Sequence, residues 1–509
     1  MASPEAPADE ADEAEAASPA GSGRGIAAGR GQRTAQLVGW GAPAVVSVVL
    51  GLWRLTGPAL WADELATWGA VRISWSQLWQ LSGSVDVVLY PYYALMKAYT
   101  ALVGTSTVAM RLPSVVAIAV ATLAVTALGR RIEGPWLGLL AGLIFAVLPV
   151  TSRYAQEARS YSLVMCGSAV AVLCLIRLLE DPGRRRLAAY AVAVTAVGLL
   201  HPLNGLLMVA GHAAAVGWWQ VEHRRTGWRT SLRWLAAAGV GMSPAVVLGA
   251  LGARQSAQIS WIKLVDLAAL HVFLDRLFFS AAVGGFLLAL AIVGARRKLA
   301  YLCLAGAAFV PIALLLAVGT QIAVWRASYV VAALPAMAVL AGSALSRLAR
   351  PHAIAALCLV AVLGYPAQIM IRSEAGHSQA STRIANVIGP RYRPGDVVVF
   401  PDTHYSIPWS PRDIYERYLP APRPPDVLQV APQRTDGRFL ARECPDASCL
   451  GTPPRIWVVR ADNSTDPLKD MAGGKRQRIG RDYRPVQRWQ YSLLGITLME
   501  RSGPHEAGH

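Results

Sequence analysis

Two groups of charged residues stand beside apolar segments, where charge is costly. The string LWADELATW carries Asp63 and Glu64 directly after the first apolar run, and the string RYAQEARSY, residues 153–161, lies between two later runs. A carboxylate can take a proton from a hydroxyl group as a general base, and an arginine can neutralise charge on a departing phosphate. Because a charge at membrane depth costs about 2.5–3.5 kcal/mol on insertion scales, these groups indicate a function.

Further polar side chains occur in the loops that we place on the same side of a membrane. They are Lys97, His201 with Asn204, Arg254, Lys263, Arg326 and Tyr329. An acidic pair facing several cations favours transfer of a group away from an anionic lipid. Since a sugar phosphate diester leaves as a stable anion, one base and a cationic cradle are enough for direct displacement at the anomeric carbon, which inverts its configuration.

Each of these features also has a purely structural interpretation. Asp63 and Glu64 suit the first turn of a helix, and Arg153 and Glu157 have the spacing of a helix-surface pair that includes Tyr161 if the segment is helical. A histidine at a span end can be merely interfacial. Snorkelling towards lipid phosphates, without a catalytic part, is the alternative for the cations Lys97, Arg254 and Lys263.

The composition excludes an average soluble protein. Of the 509 residues 54% are hydrophobic and only 16% are charged, and the mean hydropathy is +0.38. The formal charge of +17 comes in short bursts between apolar runs, so it does not indicate a nucleic-acid partner. Six cysteines are too few for a disulfide scaffold, and there is no Walker motif, HExxH or metal-spaced Cys/His set. A polytopic membrane protein remains.

The apolar runs predict about eleven transmembrane helices, centred near residues 46, 118, 142, 170, 194, 212, 243, 286, 308, 338 and 362. Residues 1–35 read as a disordered cytoplasmic tail, and residues 36–372 as the transmembrane domain. Basic clusters in alternate short loops place the N-terminus inside. Residues 88–104 read as an amphipathic helix in the interface, and an odd number of spans then places residues 373–509 outside the cytosol.

The last 137 residues or so have ordinary polarity and predict a small extracytoplasmic α/β domain. Short β-like runs occur at Asp396 to Phe400, Arg455 to Arg460 and Ile496 to Met499. Cys444 and Cys449 lie in this domain, where they either form a local disulfide or remain a free pair.

The order of the motifs resembles a known family. LWADELATW, PYYALMKAYTALVG, MRLPSVVAIAV, LGRRIEGPWLGLLAGLIFAVLP and RYAQEARSYSL follow one another over residues 37–165. They resemble the N-terminal half of GT-C membrane glycosyltransferases of family 39, the protein-mannosyltransferase and aminoarabinose-transferase type. The resemblance is weaker in the later spans and absent beyond about residue 372. The high Arg and Ala usage resembles that of actinobacterial relatives.

The resemblance implies a polyprenyl-phosphate-linked sugar donor and a catalytic aspartate in the first outer loop. Asp63 matches that catalytic residue and Glu64 its neighbour, while Lys97 lies in the helix where some relatives keep a phosphate-contacting lysine. The second-loop polar cluster of the family matches Gln156, Glu157 and Arg159. Many relatives open a late span with an Arg-Tyr pair, whereas WRASYVVAALP separates Arg326 from Tyr329 here. Relatives differ in metal use, so no metal site is assigned and a divalent cation stays open.

The sequence thus predicts an inverting plasma-membrane glycosyltransferase that moves a sugar, mannose by family analogy, to an extracytoplasmic protein, glycolipid or glycan. Asp63 is the expected base, with Glu64 orienting it or the acceptor. The expected donor-binding residues are Lys97, Arg153, Gln156, Glu157, Arg159, Tyr161, His201, Lys263, Arg326 and Tyr329. A lipid transporter or flippase and a non-catalytic envelope scaffold are the alternatives. A transporter favours two related halves with ionisable or helix-breaking elements near the midplane, and the sequence shows neither a repeat nor a midspan acid.

Overall fold

The computed structural model describes residues 39–224, 227–255, 261–402, 407 and 409–502. The expected tail, residues 1–35, lies outside this part of the chain. In chain order the described α-helices are α1 Gly39–Leu52, α2 Ala62–Arg72, α3 Trp75–Ser84, α4 Tyr90–Val103, α5 Thr107–Glu133, α6 Pro135–Val147, α7 Pro149–Ala155, α8 Tyr161–Glu180, α9 Arg184–Leu200, α10 Pro202–Glu222, α11 Trp228–Ala253, α12 Leu267–His271, α13 Phe273–Phe278, α14 Ala281–Gly294, α15 Leu299–Gly319, α16 Leu334–Ser346, α17 Arg350–Met370, α18 Arg383–Ile388, α19 Ser410–Tyr418 and α20 Gly473–Asp482.

All eleven predicted span centres lie in helices, namely α1, α5, α6, α8 to α11 and α14 to α17. By length and composition six described helices can cross a membrane: α5, α8, α11, α15, α17 and α16 together with the 3-10 turn that precedes it. The number is seven if α6 and α7 form one broken span, and α1 and α14 are apolar but shorter. The expected architecture, an all-α polytopic membrane domain followed by a small α/β domain, is confirmed.

The segment after α1 folds as three short helices that carry the first acidic pair. Asp63 and Glu64 occupy the first turn of α2, where negative charge is favourable beside the positive end of the helix dipole. Helix α3 begins with a capping box between Ser74 and Gln77. Helix α4 has Pro91 in its first turn and contains most of the residues predicted to form an interfacial helix.

A sharp break between α6 and α7 shapes the second polar segment. The two helices meet at 64° around Leu148 and Pro149. Proline lacks an amide donor and restricts the residue before it, so the helix cannot continue straight through this point. Helix α7 then ends at Ala155, and residues 156–160 form a tight turn before α8. Arg153, Glu157 and Tyr161 therefore do not lie on one continuous helix, contrary to the helical reading of this segment.

The C-terminal domain contains a four-stranded sheet with strands β1 (Val397–Val399), β4 (Arg455–Arg460), β6 (Leu494–Arg501) and β5 (Tyr483–Tyr491), in that spatial order. The three predicted strands correspond to β1, β4 and β6. A separate hairpin pairs β2 (Gln429–Ala431) with β3 (Arg442–Glu443). Strand β1 is parallel to β4, and the other pairs of the larger sheet are antiparallel.

Because successive side chains of a strand point to opposite faces, the two faces of the sheet pack into different hydrophobic cores. Val398 and Trp457 belong to a core that includes Leu65 and Trp68 of α2, whereas Val399 and Ile456 pack within the domain. One face of the C-terminal sheet therefore supports the helix that carries Asp63 and Glu64.

The two polar-segment cysteines, Cys444 and Cys449, form a disulfide five residues apart. The sequence left open whether these cysteines form a disulfide or remain free, and in the structure they form the disulfide.

Candidate active site

The side chain of Asp63 projects from the first turn of α2 and is 30% exposed. Its Oδ2 lies 3.9 Å from Nε of Arg159, which is in the turn between α7 and α8. The side chain of Arg159 is 11% exposed. The structure thus places a partly exposed carboxylate beside a largely buried cation.

Arg159 has a second acidic neighbour that sequence reasoning missed. Its Nη1 donates to the hydroxyl of Tyr93 at 3.4 Å, and that hydroxyl donates to Oδ2 of Asp86 at 2.9 Å. Asp86 adopts a left-handed backbone conformation with φ of 55°, which aspartate tolerates better than most residues. Burial raises the pKa of the Asp86 carboxyl. Arg159 is therefore set between Asp63 and the Asp86–Tyr93 pair.

Glu157 is held tightly within its own pair. Its Oε2 accepts a hydrogen bond from Arg153 at 2.5 Å, and its Oε1 accepts one from the indole of Trp61 at 3.0 Å. The side chains of Arg153 and Glu157 are 8% and 2% exposed, so the pair is not a solvated helix-surface contact. Burial raises the pKa of Glu157 to about 7, although the Arg153 charge acts in the opposite direction.

Glu64 faces away from solvent and is therefore not placed to contact an acceptor directly. Its carboxylate accepts two hydrogen bonds from Arg111, at 2.8 and 2.6 Å, and one from the backbone N–H of Ala158 at 2.9 Å. His377 Nδ1 lies 3.3 Å from Oε2. Burial alone would raise the pKa of Glu64, but the Arg111 guanidinium holds it well below its usual range.

These contacts give Glu64 a structural role. The carboxylate is 0% exposed and joins α2 to the second predicted span through Arg111, to the second polar turn through Ala158 and to the chain after α17 through His377. The Arg111 guanidinium also donates to the carbonyls of Leu55 and Pro58. Of the two roles expected for Glu64, these contacts favour orientation of Asp63, through the helix that carries both residues, over contact with the acceptor.

Aromatic rings form a wall near this cluster. Tyr161 lies 5.0 Å from Tyr154 and 5.7 Å from His201, and His201 lies 4.9 Å from Tyr329, measured between ring centroids. The His201 Nδ1 accepts a hydrogen bond from the Asn204 backbone N–H at 3.3 Å and caps α10. Burial, with the nearby Arg159 charge, lowers the pKa of His201 to about 4, so the ring is neutral at pH 7.

Four other predicted site residues lie outside this arrangement of contacts. Lys97 donates to the carbonyls of Val71 and Ile73 at the end of α2, and Lys263 is exposed. Gln156 donates to the carbonyls of Gly51 and Trp53 and so holds the end of the first predicted span. The guanidinium of Arg326 stacks on Trp261 at 4.8 Å, although its charge still acts on Tyr329.

The C-terminal domain reaches the helix that carries Asp63. The Trp409 indole donates to the carbonyl of Ala62 at 3.2 Å. A Cβ added at Gly69 would lie 2.2 Å from Nη1 of Arg434, so only glycine allows the Arg434 guanidinium to approach α2 this closely. That guanidinium is itself fixed by two hydrogen bonds to Asp413, at 2.9 and 2.7 Å.

No group of three or more His, Cys, Asp or Glu side chains in the described part of the chain converges as metal ligands would.

Comparison with known proteins finds a matching family model and solved structures of similar fold. Residues 90–249 match the family model of dolichyl-phosphate-mannose-protein mannosyltransferases. The structure is similar to ArnT from Cupriavidus metallidurans in the apo state, with 13% identity and a TM-score of 0.56, covering 92% of this chain and 98% of that chain. It is equally similar to the same protein bound to undecaprenyl phosphate, with 15% identity, a TM-score of 0.56 and coverage of 91% and 98%. No curated protein matches the sequence.

Both findings confirm the resemblance predicted from the motifs between residues 37 and 165. The family model covers part of the chain, and the structural similarity extends over nearly all of it, including the region beyond residue 372 where no motif is recognisable.

Proposed function

We propose that this chain, which has the GT-C fold of membrane glycosyltransferases, moves a sugar from a polyprenyl-phosphate donor to an acceptor hydroxyl, with Asp63 as general base. One observation carries the assignment of the base. Of the three acidic residues predicted for the site, Asp63 is 30% exposed, whereas Glu64 and Glu157 are 0% and 2% exposed and hydrogen-bonded to arginines. Only Asp63 is open to an acceptor.

The reaction needs few groups from the protein. Asp63 takes the proton of the acceptor hydroxyl as the acceptor oxygen bonds to the anomeric carbon. The bond between that carbon and the phosphate oxygen breaks at the same time, and its electron pair leaves with the phosphate. Arg159, which is 3.9 Å from Asp63, neutralises the charge that develops on the phosphate. A single displacement of this kind inverts the anomeric carbon.

Several observations support the choice of substrates and location. The structure with undecaprenyl phosphate bound shows that a relative of the same fold holds a polyprenyl phosphate, and the matched family model is named for mannose transfer. We therefore propose mannose as the sugar and a protein, glycolipid or glycan hydroxyl as the acceptor. We also propose that the site lies on the extracytoplasmic face of the plasma membrane, with the N-terminus inside. The Cys444–Cys449 disulfide supports the extracytoplasmic position of the C-terminal domain, since disulfides persist in oxidising compartments.

Replacing Arg159 tests the donor site. Arg159→Gln should lower kcat/KM for the lipid-linked sugar by about 10²–10³-fold, because the variant lacks the guanidinium that hydrogen-bonds to the leaving phosphate. Arg159→Lys should recover part of this loss. The matched control is Arg254→Gln, which removes an exposed arginine and should leave kcat/KM unchanged. Equal kinetics for Arg159→Gln and the wild type would exclude Arg159 from phosphate binding.

The pair of Glu157 and Arg153 predicts a pH effect on stability. Since the folded-state pKa of Glu157 is raised to about 7 from its usual value of 4.5, the folded protein binds an extra proton between these two pH values. Its contribution to stability is therefore full below about pH 4.5 and lost as the pH rises through 7. Thermal unfolding of Glu157→Gln in detergent should show a Tm that falls less between pH 4.5 and 7 than that of the wild type. Parallel pH dependences would contradict the raised pKa.

A further inference from the structure

A cavity of about 480 Å³ lies where the C-terminal domain meets the membrane domain. Its walls are the end of α2, the start of α5 and the end of α19, which contribute Trp68, Ser106 and Arg417 among others. Trp68 is five residues beyond Asp63 on α2 and therefore about 140° further around the helix. The cavity consequently opens on a different side of α2 from the candidate active site.

The cavity is cationic. Arg417 stacks on Trp68 at 5.3 Å and on Tyr418 at 5.7 Å, and it donates to the carbonyl of Thr105 and the hydroxyl of Thr107, each at 3.1 Å. These hydrogen-bond partners are neutral, and Nε of Arg417 is buried without a hydrogen bond in the described part of the chain.

A second arginine in the cavity does carry a counter-charge. Arg72 pairs with Glu416 at 3.0 Å, so that pair adds no net charge and the charge of Arg417 remains. The start of α5 adds to the positive potential, because Ser106 caps a helix of 27 residues whose dipole is positive at this end. An anion is therefore the complementary ligand.

The surroundings place the cavity at the edge of the bilayer. Helix α5 is one of the helices able to cross a membrane, and its first turns expose Val108 and Leu112, while Leu102 and Val103 just before it are 87% and 50% exposed. Such apolar side chains are stable when they face lipid. Trp68 and Tyr418 beside them are the residue types found at headgroup level.

We propose that this cavity binds the phosphate group of a membrane lipid. The lipid would connect α19 of the C-terminal domain to α2 and α5, with the phosphate on Arg417 and the acyl chains along the apolar side chains around Val108. The inference is independent of the proposed glycosyl transfer, because it requires only that α5 begins at a membrane surface.

The test uses the full-length protein purified in detergent and incubated with phosphatidylglycerol, with lipid retention measured by native mass spectrometry. Diacylglycerol, which lacks the phosphate, is the parallel ligand. Two variants address the site. Arg417→Gln removes the cation, and Ser106→Asp keeps a helix-capping oxygen while adding a negative charge to the cavity. Arg131→Gln, at the opposite end of α5, is the matched control.

We expect phosphatidylglycerol retention to fall about tenfold in both site variants, as for the loss of one charge-assisted contact, and to stay unchanged in Arg131→Gln. Ser106→Asp carries the test if Arg417→Gln does not fold. Displacement of the lipid by glycerol 1-phosphate would show that the phosphate alone is recognised, and failure to displace it would show that the acyl chains contribute. Equal retention of diacylglycerol, or equal retention by all variants, would overturn the proposal.

Discussion

Asp63→Asn should reduce sugar transfer by about 10²–10⁴-fold, the usual contribution of a general base, without changing the Tm or the yield of folded protein. The amide has nearly the size of the carboxylate but cannot take the acceptor proton. Because the Asp63 side chain is partly exposed and an asparagine still offers an oxygen towards Arg159, whose Nε lies 3.9 Å away, the fold should be retained. The measurement is the initial rate of transfer from a lipid-linked sugar at saturating acceptor.

The control for this variant removes a carboxylate elsewhere. Asp181 is an exposed acid between α8 and α9 that pairs with Arg186 of α9. The Asp181→Asn variant should transfer sugar at the wild-type rate. Full activity of Asp63→Asn would exclude Asp63 as the base and would direct attention to Asp86 and Glu157, two other acids near Arg159.

Glu64→Gln should instead act mainly on stability, with a loss of about 3–5 kcal/mol in the free energy of unfolding. The variant leaves the Arg111 guanidinium in a fully buried site without its counter-charge, which is the costly way to break a buried ion pair. Unfolding in detergent, followed by tryptophan fluorescence, measures the loss. The double variant Glu64→Leu with Arg111→Met should recover only part of it, since it removes the unpaired buried charge but also the hydrogen bonds to the backbone of Leu55, Pro58 and Ala158.

The comparison variant is Glu180→Gln, which breaks the exposed pair with Arg131. Both partners are about 40% exposed, so the expected change is below about 1 kcal/mol. If Glu64→Gln were as stable as the wild type but inactive, Glu64 would act in the chemistry rather than in positioning α2.

The helices were accessible to sequence reasoning because the signals are local. A run of about 20 apolar residues is needed to cross a bilayer, and every predicted centre lies in a helix. The buried strands β4 and β6 were recognised from the short β-like runs at residues 455–460 and 496–499. The edge strand β5, Tyr483–Tyr491, was not recognised, because its mostly exposed residues show no buried alternation.

The site was only partly predictable because its contacts join distant segments. Asp63 and Glu64 are adjacent in the sequence, yet one is partly exposed and the other is fixed by His377, more than 300 residues later. Arg111 stood in the quoted MRLPS motif, and a single arginine near the start of an apolar helix is a signal that its charge has a partner. No local signal distinguishes Asp86 from an ordinary loop aspartate, since its role depends on Tyr93 and Arg159.

The most direct test of the proposed function is a transfer assay with the purified protein in detergent and a panel of radiolabelled polyprenyl-phosphate sugars, with the anomeric configuration of the product determined by NMR. We predict transfer without any sealed compartment, mannose as the sugar accepted, and inversion at the anomeric carbon. Absence of transfer from every donor would leave transport or a scaffold role, and a product with retained configuration would contradict a single displacement assisted by Asp63.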